Sequence, residues 1–226
     1  MYAPTKSIGR VALSLAVLIV VGCGGKGSTN TPALTDHQKD SLAVRNILDA
    51  NGLNSTGVFG AVAIPDDITG TRVGELDLQN KNISVISDGI GQLTALTTLR
   101  LDSNAIASLP PAIGNCVSLK LLSLAKNMLT GLPAEIGKLK VLTILNVSQN
   151  SLAVLPDSIG QCSSLGTIRL NNNQLTTLPA SIMSCPVIYI TVSGNKLCPA
   201  TISDALKNWL NNGLAESDWA ANQTCN

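Results

Sequence analysis

Leu96-Thr97-Thr98-Leu99-Arg100-Leu101-Asp102-Ser103-Asn104-Ala105-Ile106 opens a pattern that the chain repeats at a fixed interval. It returns as Leu119, Leu122, Leu124, Asn127 and Leu129, then as Leu142, Leu145, Val147, Asn150 and Leu152, then as Leu165, Ile168, Leu170, Asn173 and Leu175. Each copy runs on into a Leu-Pro pair (109–110, 132–133, 155–156, 178–179) and an Ile at 113, 136, 159 or 182. A degenerate copy precedes them at Val73, Leu76, Leu78, Ile83, Ile86 and Ile90, with Lys81 where Asn is expected. A truncated copy follows at Val187, Ile190, Val192, Asn195 and Leu197, after a repeat one residue shorter. Self-similarity at such a period signals stacked units that cannot bury their apolar faces singly.

Each recurring residue has a physical role. The second and third apolar positions alternate with polar residues, which predicts a short strand with those side chains turned inward. Stacked copies bring the strands together as a parallel sheet spaced by about 4.8 Å. The Asn offers both donor and acceptor atoms, so Asn104, Asn127, Asn150, Asn173 and Asn195 are expected to form a buried ladder where the chain leaves each strand. The Leu-Pro pair fixes φ on the return arm and disfavours a strand there. The pattern L-x-x-L-x-L-x-x-N-x-L resembles the leucine-rich-repeat family over residues 73–197. That resemblance implies an α/β solenoid of about six repeats, with a curved parallel sheet, short irregular or helical return arms, and helical caps at both ends.

Ahead of the repeats, Lys6 and Arg10 precede an apolar stretch from Val11 to Val21 broken only by Ser14, the layout of a secretory signal. It ends in Val20-Val21-Gly22-Cys23, which resembles a bacterial lipobox. The resemblance implies that residues 1–22 are removed and that Cys23 carries lipid, placing the chain on a bacterial cell envelope, anchored to the outer membrane or cell surface. Residues 23–34 then read as the lipidated Cys and a flexible tether rich in Gly, Ser, Thr and Asn.

Residues 35–72 read as an N-terminal cap. Thr35-Asp36-His37-Gln38 has the form of a capping box, Val44, Ile47 and Leu48 supply an apolar face, and Gly52 marks the stop. Val58 to Ile64 is β-like, and Asp66-Asp67 falls in a turn. At the other end, 198–226 read as a second cap. Ile202, Leu206, Trp209 and Leu210 share a helical face closed by Asn211-Asn212-Gly213, with Trp209 and Trp219 as lid residues. Cys198 and Cys225 bracket this cap and are expected to pair, since export meets an oxidising compartment. Cys116, Cys162 and Cys185 share the repeat position held elsewhere by Leu93 and Leu139, so they read as small buried hydrophobes. A bridge between Cys162 and Cys185 stays open.

Function is sought on the outward strand positions. A formal net charge of +1, with 13% charged residues, gives no reason to expect nucleic acid as partner. No nucleophile–base arrangement, phosphate loop or metal-ligand spacing occurs, so no enzyme, cofactor or metal is expected. One outward column runs Glu75, Thr98, Leu121, Ile144, Thr167, Tyr189; the next runs Asp77, Arg100, Ser123, Asn146, Arg169, Thr191. Leucine-rich repeats commonly bind proteins on this concave face, so the resemblance implies a monomeric, non-catalytic module with a protein partner. A carbohydrate or peptidoglycan binder, and a structural envelope component without a discrete ligand, are the alternatives.

Overall fold

A computed structural model describes residues 34–53, 72–214 and 219–225. The signal, Cys23, the tether, the β-like run at 58–64 and Asp66-Asp67 lie outside the described residues. Those described all belong to the unit Leu34–Asn226.

Six three-residue strands form one parallel sheet in chain order: β1 Glu75–Asp77, β2 Thr98–Arg100, β3 Leu121–Ser123, β4 Ile144–Asn146, β5 Thr167–Arg169 and β6 Tyr189–Thr191. The register places like repeat positions side by side: Leu76, Leu99, Leu122, Leu145, Ile168 and Ile190 form one inward row. Every residue of that row is at most 1% exposed. Between strands the chain returns through five 3-10 turns: Asp88–Gln92, Pro111–Asn115, Ala134–Lys138, Asp157–Gln161 and Ala180–Ser184. The Pro residues expected to shape these arms sit at their entry. Pro110, Pro133, Pro156 and Pro179 are the extended residues just before the last four turns, and Ser87 holds that place before the first.

The apolar columns of both arms meet in a single core. Each such Leu or Ile contributes roughly 1.5–3 kcal/mol when fully buried, but only if its neighbours in the stack are present. The return arms come close enough to demand Gly. A Cβ on Gly91, Gly114, Gly137 or Gly160 would meet the carbonyl oxygen of Ala112, Glu135, Ser158 or Ser181 in the next arm at 2.8 Å or less. The fifth arm has no successor, and there the column ends in Met183, which packs against the core.

Helix α1, Asp36–Ala50, covers the first repeat, packing on its 3-10 turn. Thr35 N–H donates to Gln38 Oε1 at 2.9 Å, and the helix stops at Asn51 and at Gly52 with φ +67°. Val44, Ile47 and Leu48 are buried as the periodicity predicts, and Ala43 is buried with them. At the other end, α2 spans only Asp204–Trp209, with Ser203 Oγ accepting from Leu206 N–H. Two details of the sequence reading need correction. Ile202 is buried but precedes the helix, before its Ser203 cap. Asn211-Asn212-Gly213 do not end the coil; a wider π-type turn continues over Leu210–Leu214. Asn211 is held there because its Oδ1 accepts from the indole N–H of Trp219 (2.9 Å), which is itself buried.

Candidate functional site

The Asn column is where the stack becomes one piece. Asn127 Nδ2 donates to Leu101 O of the preceding repeat at 2.9 Å and to Leu124 O of its own at 3.0 Å; its Oδ1 accepts from Ile106 N–H at 3.0 Å. Asn104, Asn150, Asn173 and Asn195 repeat the arrangement, each serving the repeat before it. Asn150, Asn173 and Asn195 are buried, whereas Asn104 and Asn127 are only half-buried. The residue before each Asn adopts positive φ, from Ser103 and Lys126 through Gln149 and Asn172 to Gly194. That left-handed step ends the strand and turns the Asn inward, although only Gly194 takes it without a steric cost.

A further rung comes from outside the repeats. Gln223 Oε1 accepts from Leu197 N–H, and its Nε2 donates to Val192 O, both at 3.0 Å. These are the bonds that a following Asn would supply. Cys198 and Cys225 are joined, with Cα atoms 5.5 Å apart, and the bond holds the terminus where Gln223 reaches the stack. Asn195 and Gln223 form a parallel bridge, reinforced by Thr224 N–H donating to Asn195 O at 2.7 Å.

The first repeat is fastened differently. Asp40, 1% exposed, receives Arg72 Nε at 2.8 Å, Arg72 Nη2 at 2.9 Å and Val73 N–H at 2.9 Å. Arg72 also donates to Thr94 Oγ1 and Gln92 O. The carboxylate of Asp40 raises the guanidinium's pKa. Asn51 completes the joint, accepting from Ser84 and Val85 N–H and donating to Ile47 O and Val85 O. Sequence reading missed Asp40, Asn51, Arg72 and Gln223, since none lies in the period. The disulfide is the one signal that could have pointed to Gln223, two residues before Cys225.

The three repeat cysteines are free and buried. They are more than stand-ins for Leu: Cys116, Cys162 and Cys185 Sγ each donate at 3.2 Å to a carbonyl of the preceding arm, at Ile90, Ile136 and Ile159. Burial pushes the Cys116 thiol up to about 12 and the Cys162 thiol up to about 11. Thiols so held are poor nucleophiles and poor metal ligands.

The outward face of the sheet holds the columns that the sequence nominated, in the expected register. Its polar members divide into two groups. Ser123 and Asn146 are committed internally: Ser123 Oγ donates to Asp102 Oδ1 at 2.6 Å, Asn146 Nδ2 donates to Ser123 Oγ, and Asn146 Oδ1 accepts from Ser148 Oγ at 2.8 Å. Thr191 Oγ1 donates to Asn171 Oδ1 at 2.9 Å and is buried. Asp77 is taken by Gln79. Arg100 and Arg169 form no side-chain ion pair or hydrogen bond among the described residues. Between them in that row lie Ser123 and Asn146; in the neighbouring outward row Leu121 and Ile144 stand side by side and half-exposed, with Thr98 and Thr167 flanking them. Glu75 and Tyr189 are the exposed ends of that row. Ser123 and Asn146 are thus spent on neighbours, while Arg100, Leu121, Ile144 and Arg169, with Glu75, Thr98, Thr167 and Tyr189, are outward side chains not so committed among the described residues.

The family model described as leucine rich repeat matches residues 94–152. Among solved structures, a leucine-rich-repeat protein of Leptospira interrogans is similar at TM-score 0.51 and 31% identity, over 59% of this chain and 40% of that one. This chain therefore spans less than half of that protein's length. The leucine-rich-repeat ectodomain of the receptor kinase SOBIR1 from Arabidopsis thaliana aligns at TM-score 0.58 and 27% identity, over 70% of this chain and 93% of that one. A chain of the LRIM1/APL1C complex aligns at 0.52 and 28%, over 57% and 24%. No curated protein matches. The fold is the leucine-rich-repeat solenoid with a curved parallel sheet.

Proposed function

Starting from a leucine-rich-repeat solenoid whose inner ladder is internally satisfied, we propose that the chain is a non-catalytic binding module of the bacterial cell envelope that recognises a protein partner through its concave sheet face. One observation carries this reading: the aliphatic pair Leu121 and Ile144 lies half-exposed at the centre of that face, beside a row that holds two arginines with no intramolecular partner among the described residues. Arginine and desolvated apolar centres are the features that concentrate binding energy in protein interfaces. The LRIM1/APL1C complex, a structural neighbour, is an assembly of protein chains, which supports the same direction. A glycan-binding reading would rest on Tyr189, the one aromatic residue among the nominated positions.

The envelope location rests on the lipobox-like Val20-Val21-Gly22-Cys23. A lipid on Cys23 would leave the concave face on a tethered domain, and two or more acyl chains give lasting attachment. Two measurements test the reading. Capture of envelope proteins by the full chain should be lost in a Leu121→Glu, Ile144→Glu double variant that still folds; undiminished capture would remove the concave face from the function. Fatty-acid labelling in cells should disappear in Cys23→Ser, and equal labelling would remove the anchor.

A further inference from the structure

Between Asp102 and Asp204 the chain has two acidic residues, Glu135 and Asp157. Both stand on the return side, in the 3-10 turns Ala134–Lys138 and Asp157–Gln161. Strands β3 to β6 thus present no carboxylate. The same part of the sheet and its margins carry Arg100, Lys120, Lys126 and Arg169, none of them in an ion pair among the described residues. Two acids beside Arg100 keep their charge but form no ion pair with it among the described residues. Asp77, in register with Arg100, is turned to Gln79 at 3.0 Å, and Asp102 Oδ1 is held by Ser123 Oγ and Ala125 N–H. A chain with a net charge of only +1 therefore gathers four cations outside any ion pair beside one aliphatic pair.

The spacing narrows what fits. Arg100 on β2 and Arg169 on β5 occupy the same repeat position, three strands apart, which at about 4.8 Å per strand is roughly 14 Å. An extended peptide crossing the strands advances about 3.4 Å per residue and turns alternate side chains to the same side. Residues i, i+2 and i+4 of such a peptide then face the sheet over roughly 14 Å. Their ends meet the two arginines, while the middle one lies over Ser123 and Asn146, beside the row of Leu121 and Ile144. Guanidinium groups suit carboxylates because their planar fork can donate two parallel hydrogen bonds.

We infer that this part of the concave face receives an extended segment of a protein partner that carries acidic side chains at positions i and i+4. The inference rests on the protein-binding reading above and specifies its partner. The test is fluorescence anisotropy of the detergent-purified full chain with labelled synthetic peptides carrying Asp-Ser-Leu-Ser-Asp. Controls carry Asn for both Asp residues, or the two Asp residues adjacent. The first peptide should bind best and weaken as salt rises. Arg100→Gln and Arg169→Gln should each reduce its affinity about tenfold, equivalent to about 1.4 kcal/mol. Equal binding of the Asn peptide, absence of binding, or indifference to both arginine substitutions would overturn the inference. If envelope capture is abolished by the Leu121 and Ile144 substitutions but unaffected by the arginine ones, this specification fails and the protein-binding reading survives. If capture responds to neither set, both fail.

Discussion

The two ends of the solenoid are closed by unlike devices, although each covers the same kind of apolar cross-section. At the N-terminal end a helix lays Val44, Ile47 and Leu48 on the first repeat, and a buried carboxylate, Asp40, grips Arg72 at the repeat's threshold. At the C-terminal end the chain doubles back, a disulfide fixes it, and Gln223 takes the ladder position after Asn195. The difference follows from the direction of the ladder. Each Asn serves the repeat before it, so the last repeat lacks a server unless one is supplied from elsewhere. The first repeat owes nothing backward, and Asn104 Nδ2 already donates to Leu78 O, so Lys81 can stand where Asn is expected. The Gly column runs the opposite way: each Gly makes room for the arm after it, so the exception, Met183, falls at the last arm. Departures from the consensus thus mark the ends, and which departure occurs where reports which neighbour each position serves.

Four variants probe that asymmetry. Replacing both Cys198 and Cys225 by Ser should have the largest effect, about 3–4 kcal/mol for a loop of this separation under the chain-entropy model. Urea denaturation would read the loss, and light scattering should show association through the freed end; an unchanged midpoint would mean that packing alone holds the terminus. Arg72→Ala comes next. Severing a buried ion pair from one side costs about 3–5 kcal/mol, and because Arg72 is 28% exposed a value near the low end, about 3 kcal/mol, is expected. A shift in midpoint below a few tenths of that would show that Asp40 does not depend on the pair. Gln223→Ala should cost about 1–3 kcal/mol by stranding Leu197 N–H. Amide hydrogen exchange at Leu197 should quicken in this variant while exchange at Ile106 does not. Smallest of all is Lys81→Asn, expected within about 0.5 kcal/mol of the parent. A gain beyond that would mean that an Asn there finds a preceding neighbour, contrary to the polarity described.

Much of this was legible beforehand. The register of all six strands, the inward rows and the outward columns follow from counting, because a repeat meets only its neighbours and every copy solves the same local problem. The 3-10 form of the return arms was only partly foreseen. A Pro before the turn predicts an irregular segment, but the tightness that makes Gly obligatory arises between arms. The nominated binding face was legible in position and not in availability. Nothing in the sequence separates Ser123 and Asn146, whose hydrogen bonds are spent on neighbours, from Arg100 and Arg169, whose side chains are left over.

What the sequence by itself determined is therefore the stack: its period, its core and the side of the sheet that faces outward. These follow from apolar residues recurring at the spacing of strand and return arm, which fixes their burial whatever else the chain does. Only the tertiary structure decided how the stack ends. Asp40 meets Arg72 across 32 residues and Gln223 meets Val192 across 31, and neither pair belongs to a recurring pattern. Such contacts exist because folding brings distant polar groups together at the solenoid's edges, where a stranded N–H or carboxylate costs about 1–3 kcal/mol or more unless a partner reaches it.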